Sequence, residues 1–172
     1  AATGGSTLRD GLFLNQLPPV LTDVWYVPLI LLAALVVQFF RQRIAGMRLI
    51  DNLINLIDAL GVPAFAVVGM QMSLAAGLPA PGVVLIGMIN GFGGGLLRDI
   101  TVGSTPAVLK PGRFYLSAAF IACILFVVLE VYLGVAANIA AWTVIGLFFT
   151  LRALAVRYDW RTQPVLPDAE VQ

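Results

Sequence analysis

The stretch "NGFGGGLLRDITVGSTP", Asn90 to Pro106, sets three consecutive glycines, Gly93 to Gly95, in an apolar run with Arg98 and Asp99 just behind them. Each glycine weakens a helix by up to about 1 kcal/mol relative to alanine. The two charges resist hydrocarbon. A segment that carries both needs a reason beyond filling a membrane.

The composition fixes the solvent. Sixty per cent of the 172 residues are hydrophobic, 11% are charged, and histidine is absent. Mean hydropathy is +0.96. Soluble domains hold about 45–50% apolar and about 25% charged residues, so this chain has too little polar surface for water. It reads as an all-α integral membrane protein in which nearly every segment is a span. A net charge of +1 argues against nucleic acid as a partner, and the single cysteine, Cys123, excludes a disulfide framework. No pattern of metal ligands or cofactor-binding residues is present, so neither a metal nor a cofactor is expected.

Five spans are legible, at about 24–40, 53–77, 82–103, 114–134 and 137–158, the second interrupted by Gly61-Val62-Pro63. Each is long enough for a bilayer core of about 30 Å. Arg41, Arg43 and Arg48 lie between the first two spans, and Lys110 and Arg113 between the third and fourth. Arg157 and Arg161 follow the fifth, while the loops "GLPAPG" and "GVAAN" carry no charge. Basic loops stay cytoplasmic, so the C-terminal tail is expected in the cytoplasm. Trp25, Tyr26, Tyr115, Tyr132, Tyr158 and Trp160 cluster at span ends, as interfacial anchors do. The basic loop residues also suit anionic lipid headgroups.

The glycine segment occurs twice. "GGSTLRD" at 4–10 matches "GGGLLRD" at 93–99, and each copy continues through a proline and "VL" to an aromatic pair, Trp25-Tyr26 or Phe114-Tyr115. The Arg-Asp pairs and the aromatic pairs are both 89 residues apart, with a one-residue slip between them that is later recovered. Topology puts Arg98 at a cytoplasmic helix end and Arg9 near the outer face, so the copies run in opposite directions. Inverted repeats of three helices commonly build a pathway at the midplane. Residues 1–48 then read as a remnant of the first repeat, 49–135 as a complete second repeat, 136–158 as a terminal helix and 159–172 as a tail. The spacing from Leu53 to Arg98 suggests that about 45 residues precede Ala1 in a complete first repeat.

These residues resemble a known family. "DALGVPAFAVVGMQMSLAAG" followed by "GFGGGLLRDITVGSTP" is similar to the duplicated domain of prokaryotic TRIC-type (trimeric intracellular cation) channels, also labelled a glycine-transporter domain. The resemblance spans nearly the whole chain except the tail. It implies a seven-helix subunit, a homotrimer with one pore in each subunit, potassium-permeable conduction and a prokaryotic plasma membrane location. Ser6 departs from the triplet, standing where the second copy has Gly95.

The candidate site follows from the helix breaks and the charges. Gly93 to Gly95 fall about 17–20 Å along their span, close to the midplane. There a bend would offer backbone carbonyls to a cation, and Gly4, Gly5 and Ser6 would do so in the other copy. The competing reading is close helix packing along Gly87, Gly91 and Gly95. Pro63, with Gly61, predicts a kink at comparable depth, which equally suits simple fitting of the bundle. Asp58, Arg98, Asp99 and Arg152 lie one to two turns inside the cytoplasmic ends of their helices, so an Asp58–Arg98 pair or gate is expected. Arg9 and Asp10 mirror them, with Glu130 as an outer partner for Arg9. A structural clamp or snorkelling would explain the same residues.

Enzymatic function has no support. There is no histidine, no acid pair beside a substrate cleft, and no GK[ST] ending to make the glycines a phosphate loop. Two function classes remain, a monovalent cation channel and a secondary transporter for glycine or another small amino acid. The resemblance favours the channel.

Overall fold

The structure is a computed structural model that describes residues 3–44, 48–106 and 115–158. All regular structure among the described residues is helical. A short helix α1 (Gly4–Leu8) passes into a π-helical turn (Arg9–Leu14), followed by one turn α2 (Pro19–Thr22). The long helices are α3 (Tyr26–Ile44), α4 (Arg48–Ala75), α5 (Ala80–Thr101), α6 (Tyr115–Val127) with a π-helical end (Val128–Tyr132), and α7 (Ala137–Arg157). At 1.5 Å per residue α4 is about 42 Å long and the others, with α6 counted through its π turn, about 27–33 Å. By length and apolarity α5 and Ala137–Ala155 of α7 can each cross a bilayer, while the apolar parts of the remaining helices, Tyr26–Phe40, Ala59–Ala75 and Leu116–Tyr132, are shorter.

The core lies among α4, α5, α6 and α7. Met70 from α4, Val83 from α5, Phe126 from α6 and Phe148 from α7 are each 0% exposed. Alanines 118, 119 and 122 on α6 and Ala140 on α7 let the helices approach closely around these larger side chains. Helix α3 is different: its residues from Tyr26 to Phe40 are all exposed, as a span whose apolar surface meets lipid or other helices must be.

The helices run on through both glycine segments and through Pro63. Helix α5 runs from Ala80 to Thr101 straight through Gly93, Gly94 and Gly95, and Gly4, Gly5 and Ser6 are helical in α1. Helix α4 likewise continues through Gly61 and Pro63. Proline removes one amide donor, and here the turn around it is held by packing, because Val62, Pro63 and Ala66 are buried and line a small apolar void with Ala119, Ala122, Val144 and Phe148.

The glycines serve close approach instead. A Cβ on Gly91 would lie 3.0 Å from the Val62 carbonyl oxygen, and one on Gly87 would run into Met70, so this stripe seats α5 on α4. Gly95, expected in the same stripe, has nothing within 4 Å of an added Cβ. Gly93 and Gly94 face the other way, onto α1. A Cβ on Gly4 would lie 2.9 Å from Gly94 Cα and 3.1 Å from Leu97 Cδ1. A Cβ on Gly93 would lie 3.0 Å from Gly5 Cα and 3.1 Å from Leu8 Cδ1. Shifting every number by the repeat interval of 89 converts the first set of neighbours into the second. Such reciprocity is what a local two-fold axis produces, and it supports the duplication read from the sequence.

The one-residue slip has a structural cause. After Asp99, three residues lead to the left-handed Gly103 (φ 67°), and the Ser104 amide donates to the Asp99 carbonyl at 2.9 Å. After Asp10, four residues lead to the left-handed Asn15 (φ 49°), and the Gln16 amide donates to the Asp10 carbonyl at 2.9 Å. The extra residue is taken up in the π-helical turn Arg9–Leu14, the usual way a helix absorbs a single insertion.

Candidate functional site

Helix α5 and the N-terminal segment that holds α1 and the π-helical turn meet around Asn90. Asn90 is ten residues into α5, about 15 Å along a helix of about 33 Å, and so near its middle. It is 5% exposed. Its Nδ2 donates to the Phe65 carbonyl oxygen of α4 at 2.5 Å, and its Oδ1 accepts from Arg9 Nη1 at 3.4 Å. Two glycines make room for it. A Cβ on Gly69 would stand 2.7 Å from Asn90 Cβ, and a Cβ on Gly5 would collide with the Asn90 backbone carbonyl.

Arg9 and Asp10 complete the cluster. Arg9 is 3% and Asp10 1% exposed. The guanidinium grips the carboxylate with two nitrogens, Nε to Oδ1 at 2.6 Å and Nη2 to Oδ2 at 2.8 Å. This side-on fork is the strongest geometry open to the pair. It is needed, because a buried charge without a partner is destabilising by several kcal/mol. The chain Asp10–Arg9–Asn90–Phe65 carbonyl therefore links the first copy to α5 and α4 through polar groups at mid-helix depth. Ionisable groups at such depth mark pathways by default.

The matched pair in the second copy has a different environment. Arg98 Nε and Nη2 meet Asp99 Oδ1 at 2.8 and 2.7 Å, but the Arg98 side chain is 57% exposed against 9% for that of Asp99. Arg98 borders an open cleft of about 360 Å³ lined also by Thr3, Gly4, Gly94, Leu97 and Thr101.

The structure thus brings Gly4, Gly5, Gly93, Gly94, Arg9 and Asp10 together, with Ser6 half-buried one turn before Asp10. It corrects the position of Arg9, whose guanidinium reaches the level of Asn90 and not the outer face. The outer pair Arg9–Glu130 does not form: Arg9 turns to Asp10 and Asn90, while Glu130 Oε2 has no hydrogen-bond partner. Arg152 is half-buried on α7 and engaged in an interaction of its own. The Asp58 side chain lies outside the described residues, and with it the expected Asp58–Arg98 pair. No group of histidine, cysteine or acidic residues that could hold a metal occurs among the described residues. Sequence reasoning missed Asn90. The available signal was a lone amide between "GMI" and "GFGGG" in an otherwise apolar run.

Fold and site together define a helical membrane protein with a neutralised charge cluster at mid-depth. Residues 55–131 match the family model described as "Glycine transporter". A UPF0126 membrane protein of Deinococcus radiodurans is 36% identical over 120 residues, covering 69% of this chain and 54% of that protein. A UPF0126 membrane protein of Vibrio cholerae is 29% identical over 121 residues, covering 70% of this chain and 49% of that one. The chain thus spans about half the length of these relatives. Among solved structures, a TRIC cation channel superposes with a TM-score of 0.78 at 26% identity, covering 98% of this chain and 79% of that chain. The TRIC trimeric intracellular cation channel orthologue from Rhodobacter sphaeroides gives 0.78 at 27% identity, covering 91% and 78%. The resemblance of this sequence to the prokaryotic TRIC-type channels is thus matched by its fold. The chain is an integral membrane protein, like its bacterial relatives.

Proposed function

We propose that the full-length protein is a monovalent, potassium-permeable cation channel that assembles as a homotrimer with a pore in each subunit. The observation that carries this reading is the neutralised Arg9–Asp10–Asn90 cluster at the junction of two glycine pairs, in a fold shared with TRIC cation channels. A pore for cations needs polar groups at mid-depth and little net positive charge there. The fork on Asp10 cancels the charge of Arg9, and the cleft at Arg98 forms the cytoplasmic approach. Because α4 and α5 are continuous, side chains and not unwound carbonyls line the path in this conformation.

The division into a first-repeat remnant (1–48), a second repeat (49–135), a terminal helix (136–158) and a cytoplasmic tail (159–172) belongs to the same proposal. So do the cytoplasmic C-terminus and the contacts of the basic loops with lipid headgroups.

The second reading, transport of glycine or another small amino acid, draws on the description of the matching family model. One preparation separates the two. Currents are recorded across planar bilayers in a potassium gradient, and glycine is then added. Unitary steps that reverse near the potassium potential and ignore glycine support the channel. Absence of steps with saturable counter-flow of labelled glycine overturns it.

A further inference from the structure

The packing that holds α4 around Pro63 is one-sided. Beyond the proline the helix is tied to α5. Asn90 Nδ2 donates to the Phe65 carbonyl oxygen at 2.5 Å, Gly69 makes room for the Asn90 side chain, and Gly87 makes room for Met70 and the Ala66 carbonyl. On the other side Val62 and Pro63 border the apolar void, about 10 Å³ in volume, whose far wall on α6 is made of the small side chains Ala119, Ala122 and Cys123. Atoms that line a void lack partners across it, so this side resists a shift least.

The hydrogen-bond ladder is weakest at the same level. Pro63 has no amide hydrogen to give the Ala59 carbonyl, and its ring crowds that carbonyl. Ala59 is buried, so water does not readily take the place of the lost bond. Gly61, two residues before the proline, has no side chain to stiffen the turn. A missing rung thus lies between a clamp on α5 and slack toward α6.

We infer that α4 flexes at Pro63 as a hinge: the half from Ala64 to Ala75 stays fixed on α5, the half before Gly61 is the moving arm, and the void is the slack that the turn at Pro63 moves through. The arm carries Asp58. What the arm does rests on the channel reading, whereas the hinge is tested apart from it.

The test uses the full-length protein in liposomes, with Cys123 as a native reporter. It is 1% exposed and lines the void, so it reacts when α4 flexes away from it. Its labelling by methyl methanethiosulfonate, a small uncharged reagent, is timed and read at that residue by mass spectrometry. The control is Val127→Cys in a Cys123→Ala background, one turn further along α6, 4% exposed and outside the void. Local opening is easier than global unfolding, so Cys123 should react about tenfold faster than the control or more. Pro63→Ala restores the missing donor and should slow Cys123 about fivefold or more, with less than about twofold change at the control. Gly61→Ala keeps the proline and raises helix propensity beside it. It should slow Cys123 about two- to fivefold, which covers the case in which Pro63→Ala fails to assemble.

A Cys123 no faster than the control overturns the hinge. So does a Pro63→Ala that slows both reporters alike or neither. Labelling needs no current, so a protein silent in bilayers overturns the channel reading while these rates still decide the hinge. Where unitary currents are recorded, Pro63→Ala should change open probability at least about twofold, and unchanged gating overturns the role of the arm in the pathway.

Discussion

Gly4 lies so close to Gly94 that a Cβ on the first would stand 2.9 Å from Cα of the second, and Gly93 repeats the relation with Gly5 at 3.0 Å. The repeat therefore meets itself backbone to backbone, with α1 and α5 held together where neither has a side chain. The polar cluster sits beside this contact and depends on it, because Gly5 also gives way to Asn90.

Adding a methyl group at this contact should loosen the whole assembly. Gly93→Ala and Gly5→Ala are each expected to destabilise by about 1–3 kcal/mol, since backbone on the facing helix cannot move aside as a side chain would. Gly95→Ala places its Cβ in open space and should be neutral or stabilising by up to about 1 kcal/mol through helix propensity. Thermal unfolding of the purified protein in detergent ranks the three. Equal melting temperatures for Gly93→Ala and Gly95→Ala would count against the packing role.

Removing a carboxylate should have unequal effects on the two pairs. Asp10→Asn strands a guanidinium that is 4% exposed in its side chain, and a broken buried pair costs about 3–5 kcal/mol. Asp99→Asn leaves behind an Arg98 side chain that is 57% exposed and can turn to water or headgroups, so the released cation itself should cost no more than about 1 kcal/mol. Melting curves of the two variants check this, and a larger loss from Asp99→Asn contradicts the burial difference.

The π turn should be dispensable. Deleting Leu12, which is 71% exposed within that turn, removes the one surplus residue of the first copy. The turn Arg9–Leu14 should relax to an α-helix closed like Asp99–Ser104, with the parent's size-exclusion profile kept. Deleting Ile100 takes a residue from a helix with none to spare and rotates the following segment by about 100°. Size-exclusion profiles of the two deletions should differ, the second shifting toward aggregate.

Asp58→Asn should alter conduction or its voltage dependence in single-channel recordings. Unchanged currents from a normally assembled protein would remove Asp58 from the pathway.

Much of this architecture is carried by local signals. Apolar runs and the loops between them mark α3 to α7, and the Arg-Asp interval marks the duplication with its slip. The state of the glycines is not local. In isolation "GGG" reads as a weak point, and only the first copy packed against Gly93 and Gly94 makes it a contact surface. Asn90 escaped for the same reason. An amide in an apolar run has no visible role until Arg9 and Phe65, 81 residues upstream and 25 residues upstream, are folded against it. The slip was countable, but a single surplus residue does not say whether a loop or a π turn absorbs it.

The adjacency of Arg9 and Asp10 also bears on how the chain is made. Asn90 leaves the ribosome 81 residues after Arg9, a delay on the order of 4–16 s at ordinary elongation rates. Throughout that interval the guanidinium has to be accommodated without its partner on α5. Its neighbour in sequence already supplies the counter-charge, so the pair enters the membrane as one neutral package and is fastened only when the second copy arrives. Exchanging the two residues should preserve insertion, whereas moving the acid several positions away should lower the inserted yield in a translation assay with membranes. A charge buried in the finished fold is in this way carried through biosynthesis with its own escort.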